Sequence, residues 1–337
     1  SEILFFDYIV EHLKNKSKAG IIIPEGVLHN DTDACITLRK RIIEENYLYA
    51  VVELPHGVFK PYASVKTHIL LLDKSVASKL TNILFIQIGD DGFTQSNQRI
   101  STQSKELENA IDFILKFKEG KFVASKIIRH NLVSKLELLS DKKISLIGRR
   151  YHALKFAELS QYPAVKLSKN MISVFKGLSP SQNTIEGDFP FVVTAKEFRT
   201  ANHYDFDCKC ICVPIVSSTG HGHASVKRLH YVEGKFALAN IMCGIKVLDE
   251  KQINPKYLYF VLASMKDDII APLMTGTSNV SLDINDLYDL EVPLPSIQVQ
   301  NKIVNSLKKF EDEIHYLNRQ IELNESKIFE RAKSLWD

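Results

Sequence analysis

The sequence predicts an α/β unit, then an α+β unit rich in short strands, then one long helix of coiled-coil type. Three observations predict this. Apolar runs alternate with amphipathic stretches up to Phe117. After Tyr162 the texture changes to short β-like runs punctuated by Gly177, Pro180, Gly187, Pro190, Gly220, Gly222, Gly234 and Gly244. From Ile303 to Leu335 the residues Ile303, Leu307, Phe310, Ile314, Leu317, Ile321, Asn324, Ile328, Arg331 and Leu335 recur at alternating steps of four and three, the mark of a heptad seam.

In the first unit, Glu2–Leu13 carries apolar residues on every side of a helical projection, as a helix packed on a sheet would. Gly20 ends it, and Ile21–Pro24 reads as a short buried strand. Asn30-Asp31-Thr32-Asp33 supplies cap chemistry for a helix that stops near Asn46. An apolar strand at Leu48–Leu54, a turn around Pro55-His56-Gly57 and a strand at Thr67–Leu72 follow. This β–α–β rhythm is that of the tail of an α/β domain. No strand precedes the first helix, so the expectation is a piece of something longer. A strand at Ile83–Ile88, a polar loop at Gly89–Gln103 and a helix at Ser104–Phe117 lead into a basic region. The expected divisions are 1–75, 76–160, 161–295 and 296–337.

A length of 337 residues suits about two domains. The chain is 45% apolar and 25% charged, which excludes wholesale disorder. No apolar run is long enough to span a bilayer, and no secretory pattern opens the sequence. Five cysteines, three of them within Cys208–Cys212, make no disulfide framework and suggest a reducing cytoplasm. The net charge of +3 is unevenly distributed: Lys116–Lys155 holds 11 basic and 3 acidic residues, an excess suited to a polyanion.

Cys208, Cys210 and Cys212 alternate, so on a strand all three share a face. With Cys243 or His203 they could ligate zinc, but structural zinc sites favour paired Cys-x(2–4)-Cys knuckles. Buried small hydrophobes are the expectation, with no metal.

Several motifs carry a family resemblance. Gly20–Leu28 (GIIIPEGVL), Arg39–Asn46 (RKRIIEEN) and Leu54–Leu70 (LPHGVFKPYASVKTHIL) resemble the C-terminal part of the catalytic domain of N6-adenine DNA methyltransferases, above all the methylation subunit of type I restriction–modification systems. Gly92-Phe93 with Arg99, and Leu146–Tyr151 (LIGRRY), look like later landmarks of that subunit. Phe175–Pro180 (FKGLSP), Thr219–Gly222 (TGHG), Asn254–Tyr259 (NPKYLY), Gly276–Asn279 (GTSN) and Val292–Val304 (VPLPSIQVQNKIV) resemble, in order, a target-recognition domain of the type I specificity subunit.

The resemblance implies an α/β remnant of a methyltransferase domain, an α+β target-recognition domain and a long coiled-coil-type helix. It also implies S-adenosylmethionine as cofactor of the complete enzyme, double-stranded DNA as partner, a prokaryotic cytoplasmic setting and a possible restriction subunit. The sequence contains no Pro-Pro pair, hence no [Asn/Asp]-Pro-Pro-[Tyr/Phe] loop, and no glycine-rich turn after a first strand. This chain is therefore expected to bind no S-adenosylmethionine and to be inactive alone. Asn254-Pro255-Lys256-Tyr257 lacks the second proline and reads as the cap of a helix over Lys256–Ser264.

By the same resemblance Phe59 stacks on an extruded adenine, with Tyr62 and Lys66 beside it. DNA contacts are expected from Lys176, Ser179, Gln182, Asn183, His221, His223, Lys227, Arg228, Thr277 and Asn279, whose side chains suit base edges or phosphates. The long helix, about 57 Å over Gln298–Leu335, needs a facing helix, and Asn324 within its seam would select register. An antiparallel pair between two chains is expected, with a partner subunit as the other possibility. A docking module with weak or no DNA binding is the alternative function.

Overall fold

The computed structural model describes all residues except 1, 64, 95, 122–127, 155–159, 183, 218–224, 277–279 and 337, and the side chains of 152–154 and 315. The first unit comprises α1 (Glu2–His12), β1 (Lys18–Pro24), α2 (Glu25–His29), α3 (Asp33–Glu44), β2 (Leu48–Glu53), β3 (Thr67–Asp73), α4 (Lys74–Ala77), β4 (Asn82–Gln87), α5 (Glu106–Lys118), β5 (Arg129–Ser134), α6 (Lys135–Ser140) and α7 (Gly148–Leu154). Its sheet runs β1-β3-β2-β4-β5, antiparallel except for the parallel pair β2–β4. Side chains alternate between the two faces. Leu70, Leu72, Ile83 and Phe85 meet Phe6, Val10, Leu38 and Ile42, whereas Leu84, Ile86 and Ile69 meet Val76, Phe113 and Phe117. A sheet clothed on both faces is the α/β arrangement that the sequence rhythm predicts.

Asn46 takes φ +59°, the left-handed conformation that stops a helix, and ends α3 as expected. Arg39 on α3 is fully buried. Its guanidinium donates to the carbonyls of Ile144 (2.9 Å), Val27 (2.6 Å), Asn30 (2.7 Å) and Lys143, tying α2 and α3 to the segment before α7.

Two expectations need correction here. The first helix buries Phe6 and Val10 but exposes Leu4, Phe5 and Tyr8, and β1 is an edge strand whose Ile22 is 55% exposed. Among its described residues the basic region is a free cationic surface only in part: Lys116, Lys121, Arg129 and Lys142 are exposed. It forms β5, α6 and α7, and many of its cations are engaged internally: Lys118 with Asp73, Lys135 with Asn46 and the Ala77 carbonyl, Lys143 with Asp283, Arg150 with Asp286, and Arg149 with Glu25 and Glu53.

The second unit comprises β6 (Ala164–Lys166), β7 (Ile172–Lys176), β8 (Phe189–Val192), β9 (Arg199–Ala201), β10 (Phe206–Asp207), β11 (Cys210–Pro214), β12 (His230–Val232), β13 (Lys235–Leu238), β14 (Met242–Val247), α8 (Pro255–Ser264), α9 (Lys266–Ile269), 3-10 turns at Ala271–Leu273 and Ile284–Asp289, β15 (Glu291–Pro293) and α10 (Ile297–Lys333). Its sheets run β10-β13-β8-β9 and β12-β11-β14-β7, with a ribbon β15-β6. Alternation along β11 makes two cores. Cys210 and Cys212 pack between the sheets with Phe191, Phe236 and Leu238, whereas Ile211 and Val213 pack under the helices with Leu258 and Leu262. Burial pushes the Cys243 thiol up to about 12. Asn254 caps α8 as predicted, its side chain accepting from the backbone N–H groups of Lys256 (2.9 Å) and Tyr257 (3.2 Å).

The buried Gln300 anchors α10, accepting from the Asn254 N–H (2.9 Å) and donating to the carbonyls of Gln252 (3.0 Å) and Pro295 (2.8 Å). Ile303 and Leu307 are half-buried. From Phe310 through Ile314, Leu317, Ile321, Asn324 and Ile328 the seam is exposed along the helix.

Candidate nucleic-acid interface

The ends of β1, β2 and β4 and the start of β3 gather one charged cluster. Glu25 follows β1, Glu53 closes β2, His68 lies in β3 and Lys66 precedes it. Arg149, in the first turn of α7, donates to Glu25 Oε2 (2.9 Å), Glu25 Oε1 (2.6 Å) and Glu53 Oε2 (2.9 Å). Lys66 Nζ lies 2.5 Å from the other Glu53 oxygen, and Gln87 donates to that oxygen at 3.3 Å. Burial alone would raise both carboxyls, but Arg149 together with Lys66 and His68 outweighs it, holding Glu25 below and Glu53 well below the usual carboxylate range. His68 is 1% exposed, its Nε2 3.7 Å and 3.8 Å from these carboxylates, and neither ring nitrogen has a hydrogen-bond partner among the described residues.

Above the cluster opens a cavity of about 740 Å³ between the two units, lined by Glu53, Lys66, His68 and Arg149 on one side and Asp267 and Ala271 on the other. The loop over Leu54–Lys66 meets it through Lys66. Phe59 is half-buried, Tyr62 is 94% exposed and Lys66 is committed to Glu53. Arg99 braces this loop from outside: Nη1 donates to the carbonyls of Gly57 (3.2 Å) and Val58 (2.5 Å), and Nη2 pairs with Asp91. Gly57 takes φ +79° with Lys60 close against it, so this turn requires glycine.

The expected DNA contacts of the second unit divide four ways. Lys176, Gln182 and Lys227 are exposed, and Gln182 shares a shallow pocket with Thr194 and Arg199. Ser179 departs from expectation. It is 3% exposed, with its hydroxyl donating to Asp205 (2.8 Å) and bonded to His203 Nε2 (2.8 Å), because the loop it sits in is pinned to Leu238 and Asn240. Arg228 is half-buried, and its Nη1 lacks a partner among the described residues. Asn183, His221, His223, Thr277 and Asn279 lie outside the described residues.

Two loops of the second unit meet. Thr275 and Ser281 exchange backbone hydrogen bonds at 2.9 Å, closing a hairpin, and the Ser217 N–H donates to Val280 (2.9 Å). The hairpin is gripped at both ends from the first unit. Arg149 Nη2 donates to the Met274 carbonyl (3.3 Å), and beyond Ser281 Lys143 pairs with Asp283 and Arg150 with Asp286.

Sequence reasoning passed over Glu25, Glu53, His68, Arg149 and Arg199. The available signal was a polar residue in a largely apolar strand, as with Glu53 in β2 and His68 in β3, which a buried strand tolerates only with a partner.

The described residues at the end of the first sheet do not fit S-adenosylmethionine. The carboxylates at the sheet end already hold Arg149 and Lys66.

A sheet clothed on both faces is thus joined to a two-sheet, helix-capped unit with a protruding helix. Residues 1–142 match the N-6 DNA Methylase family and residues 166–325 the Type I restriction modification DNA specificity domain, so the chain joins a segment of the first to a domain of the second. It is 37% identical over 76 residues to the type I restriction enzyme EcoEI methylase subunit of Escherichia coli, covering 23% of this chain and 15% of that one. It is 37% identical over 95 residues to a putative type I specificity subunit of Mycoplasma pneumoniae, covering 28% and 25%. The crystal structure of a type I restriction–modification S subunit from M. genitalium aligns at TM-score 0.41 and 22% identity, over 50% of this chain and 44% of that one. The chain thus spans a quarter or less of the length of these two curated relatives.

Proposed function

We propose that this chain recognises a specific DNA sequence within a restriction–modification system that methylates adenine N6. The observation that carries this reading is the grip of one short helix, α7, on both units. It holds the Leu54–Lys66 loop of the methylase segment and the Thr275–Ser281 hairpin of the specificity domain in one frame. In this reading Phe59 stacks on an extruded adenine, with Tyr62 at the rim. Lys176, Gln182, Asn183, His221, His223, Lys227, Arg228, Thr277 and Asn279 meet bases and phosphates, and Ser179 braces its loop from beneath. S-adenosylmethionine and the transfer step belong to the complete enzyme. No helix among the described residues is long and apolar enough to cross a membrane, and a prokaryotic cytoplasmic setting goes with the proposed role.

The exposed seam of α10 supports an antiparallel helix pair with a second copy, placing two readers on two half-sites. The same seam favours the second reading, a docking module that reaches a partner subunit, a restriction subunit included. The test is selection from a pool of random duplexes at two salt concentrations. Recognition yields one enriched motif and an affinity that falls with salt; docking alone yields no motif.

A further inference from the structure

We infer that Arg149 is a positioning residue that couples DNA engagement by the specificity domain to the conformation of the loop that carries Phe59; this rests on the recognition reading above. The geometry is specific. One guanidinium bonds Glu53, the residue before Leu54, and Met274, the residue before Thr275. Glu53 also holds Lys66 at the far end of the same loop, so both ends of the Leu54–Lys66 segment answer to one carboxylate and one arginine. The loop is closed there by backbone bonds, Leu54 N–H to Thr67 (3.1 Å) and Glu25 N–H to Lys66 (3.0 Å), the latter bringing in the second carboxylate held by Arg149. On the other side, Met274 and Asp283 bracket the hairpin, and Lys143 and Arg150 fix the Asp283 side.

Engagement of DNA by the specificity domain that displaces Met274 therefore shifts a fork whose remaining bonds hold the base loop. The planar fork matters because it makes bonds in several directions at once. Lysine keeps the charge but is a single point, and cannot hold two carboxylates and a carbonyl in fixed relation. Arg149 touches neither the reacting atoms nor the base in this scheme; it acts through Glu53.

The test is amide hydrogen exchange on the full chain, free, with the enriched duplex and with a scrambled duplex, for wild type, Arg149→Lys and Arg149→Gln. The expected wild-type result is slower exchange within residues 54–66 by about tenfold with the enriched duplex only, the size of a typical coupling between sites. Arg149→Lys, which keeps the charge and is first checked for a folded core by circular dichroism, is expected to bind the motif within about threefold yet lose that slowing. Slowing in wild type that persists in Arg149→Lys overturns the coupling, as does a wild-type loop that ignores the enriched duplex. If no motif is enriched, the recognition reading fails and the coupling falls with it, so the two failures are distinguishable. Should Arg149→Gln unfold, the comparison with Arg149→Lys still decides.

Discussion

Arg150 and Asp286 face each other across the joint between the two units, each side chain 4% exposed and the guanidinium engaging both carboxylate oxygens. Burial pushes the Asp286 carboxyl up despite the arginine, so desolvation offsets much of the attraction. Removing one partner leaves an uncompensated buried charge. Arg150→Met and Asp286→Leu should each cost about 3–5 kcal/mol in chemical denaturation, while the double substitution should recover most of that loss. Losses that simply add would show that the two do not act as a pair.

His29 makes stability depend on pH. Its Nδ1 bonds the Ser145 hydroxyl at 2.9 Å, and burial, followed by the nearby cations Arg150 and Lys143, lowers its pKa to about 4. An unfolded histidine takes up its proton near the ordinary value of 6.5, whereas the folded one resists until near 4. The stabilisation is therefore complete above about pH 6.5 and is lost as the pH falls toward 4, by up to about 3 kcal/mol. Denaturation midpoints measured from pH 7 to 5 should decline in wild type and be flatter in His29→Gln.

Arg39 is the interior staple of the first unit. Replacement by methionine keeps the bulk but strips partners from the carbonyls of Val27, Asn30, Lys143 and Ile144. The expected loss is about 3 kcal/mol or more, read as a lower urea midpoint at unchanged slope.

The exposed half of α10 predicts concentration-dependent association in sedimentation. Ile314→Glu with Ile321→Glu should shift the population to monomer while thermal stability of the two units stays within about 0.5 kcal/mol, since both side chains face solvent. A dimer that persists would move the pairing surface elsewhere.

Sequence alone revealed the elements whose causes are local. Asn254-Pro255 caps α8 by its own side chain, and the heptad seam writes α10 directly. It missed β5, where only Leu132 and Val133 are apolar, because that strand exists through its ladder with β4. It could not show which cations of the basic region the fold engages, for a related reason. A cation at position 149 shows its charge in the sequence but not the carboxylates at 25 and 53 that meet it in the fold. The site was half legible: Phe59 and Arg99 stood in recognisable motifs, while the Glu53–Arg149–Met274 connection depends on packing between distant segments.

The free rim of β1 has a practical consequence. Among the described residues no strand pairs along its outer side, and Ile22 with Phe5 stands exposed beside it. The exposed lysines at 14, 16 and 18 repel like rims of neighbouring molecules. Purified protein should accordingly stay clear in dilute buffer and turn cloudy as added salt screens that repulsion, and a charge at position 22 should keep it clear.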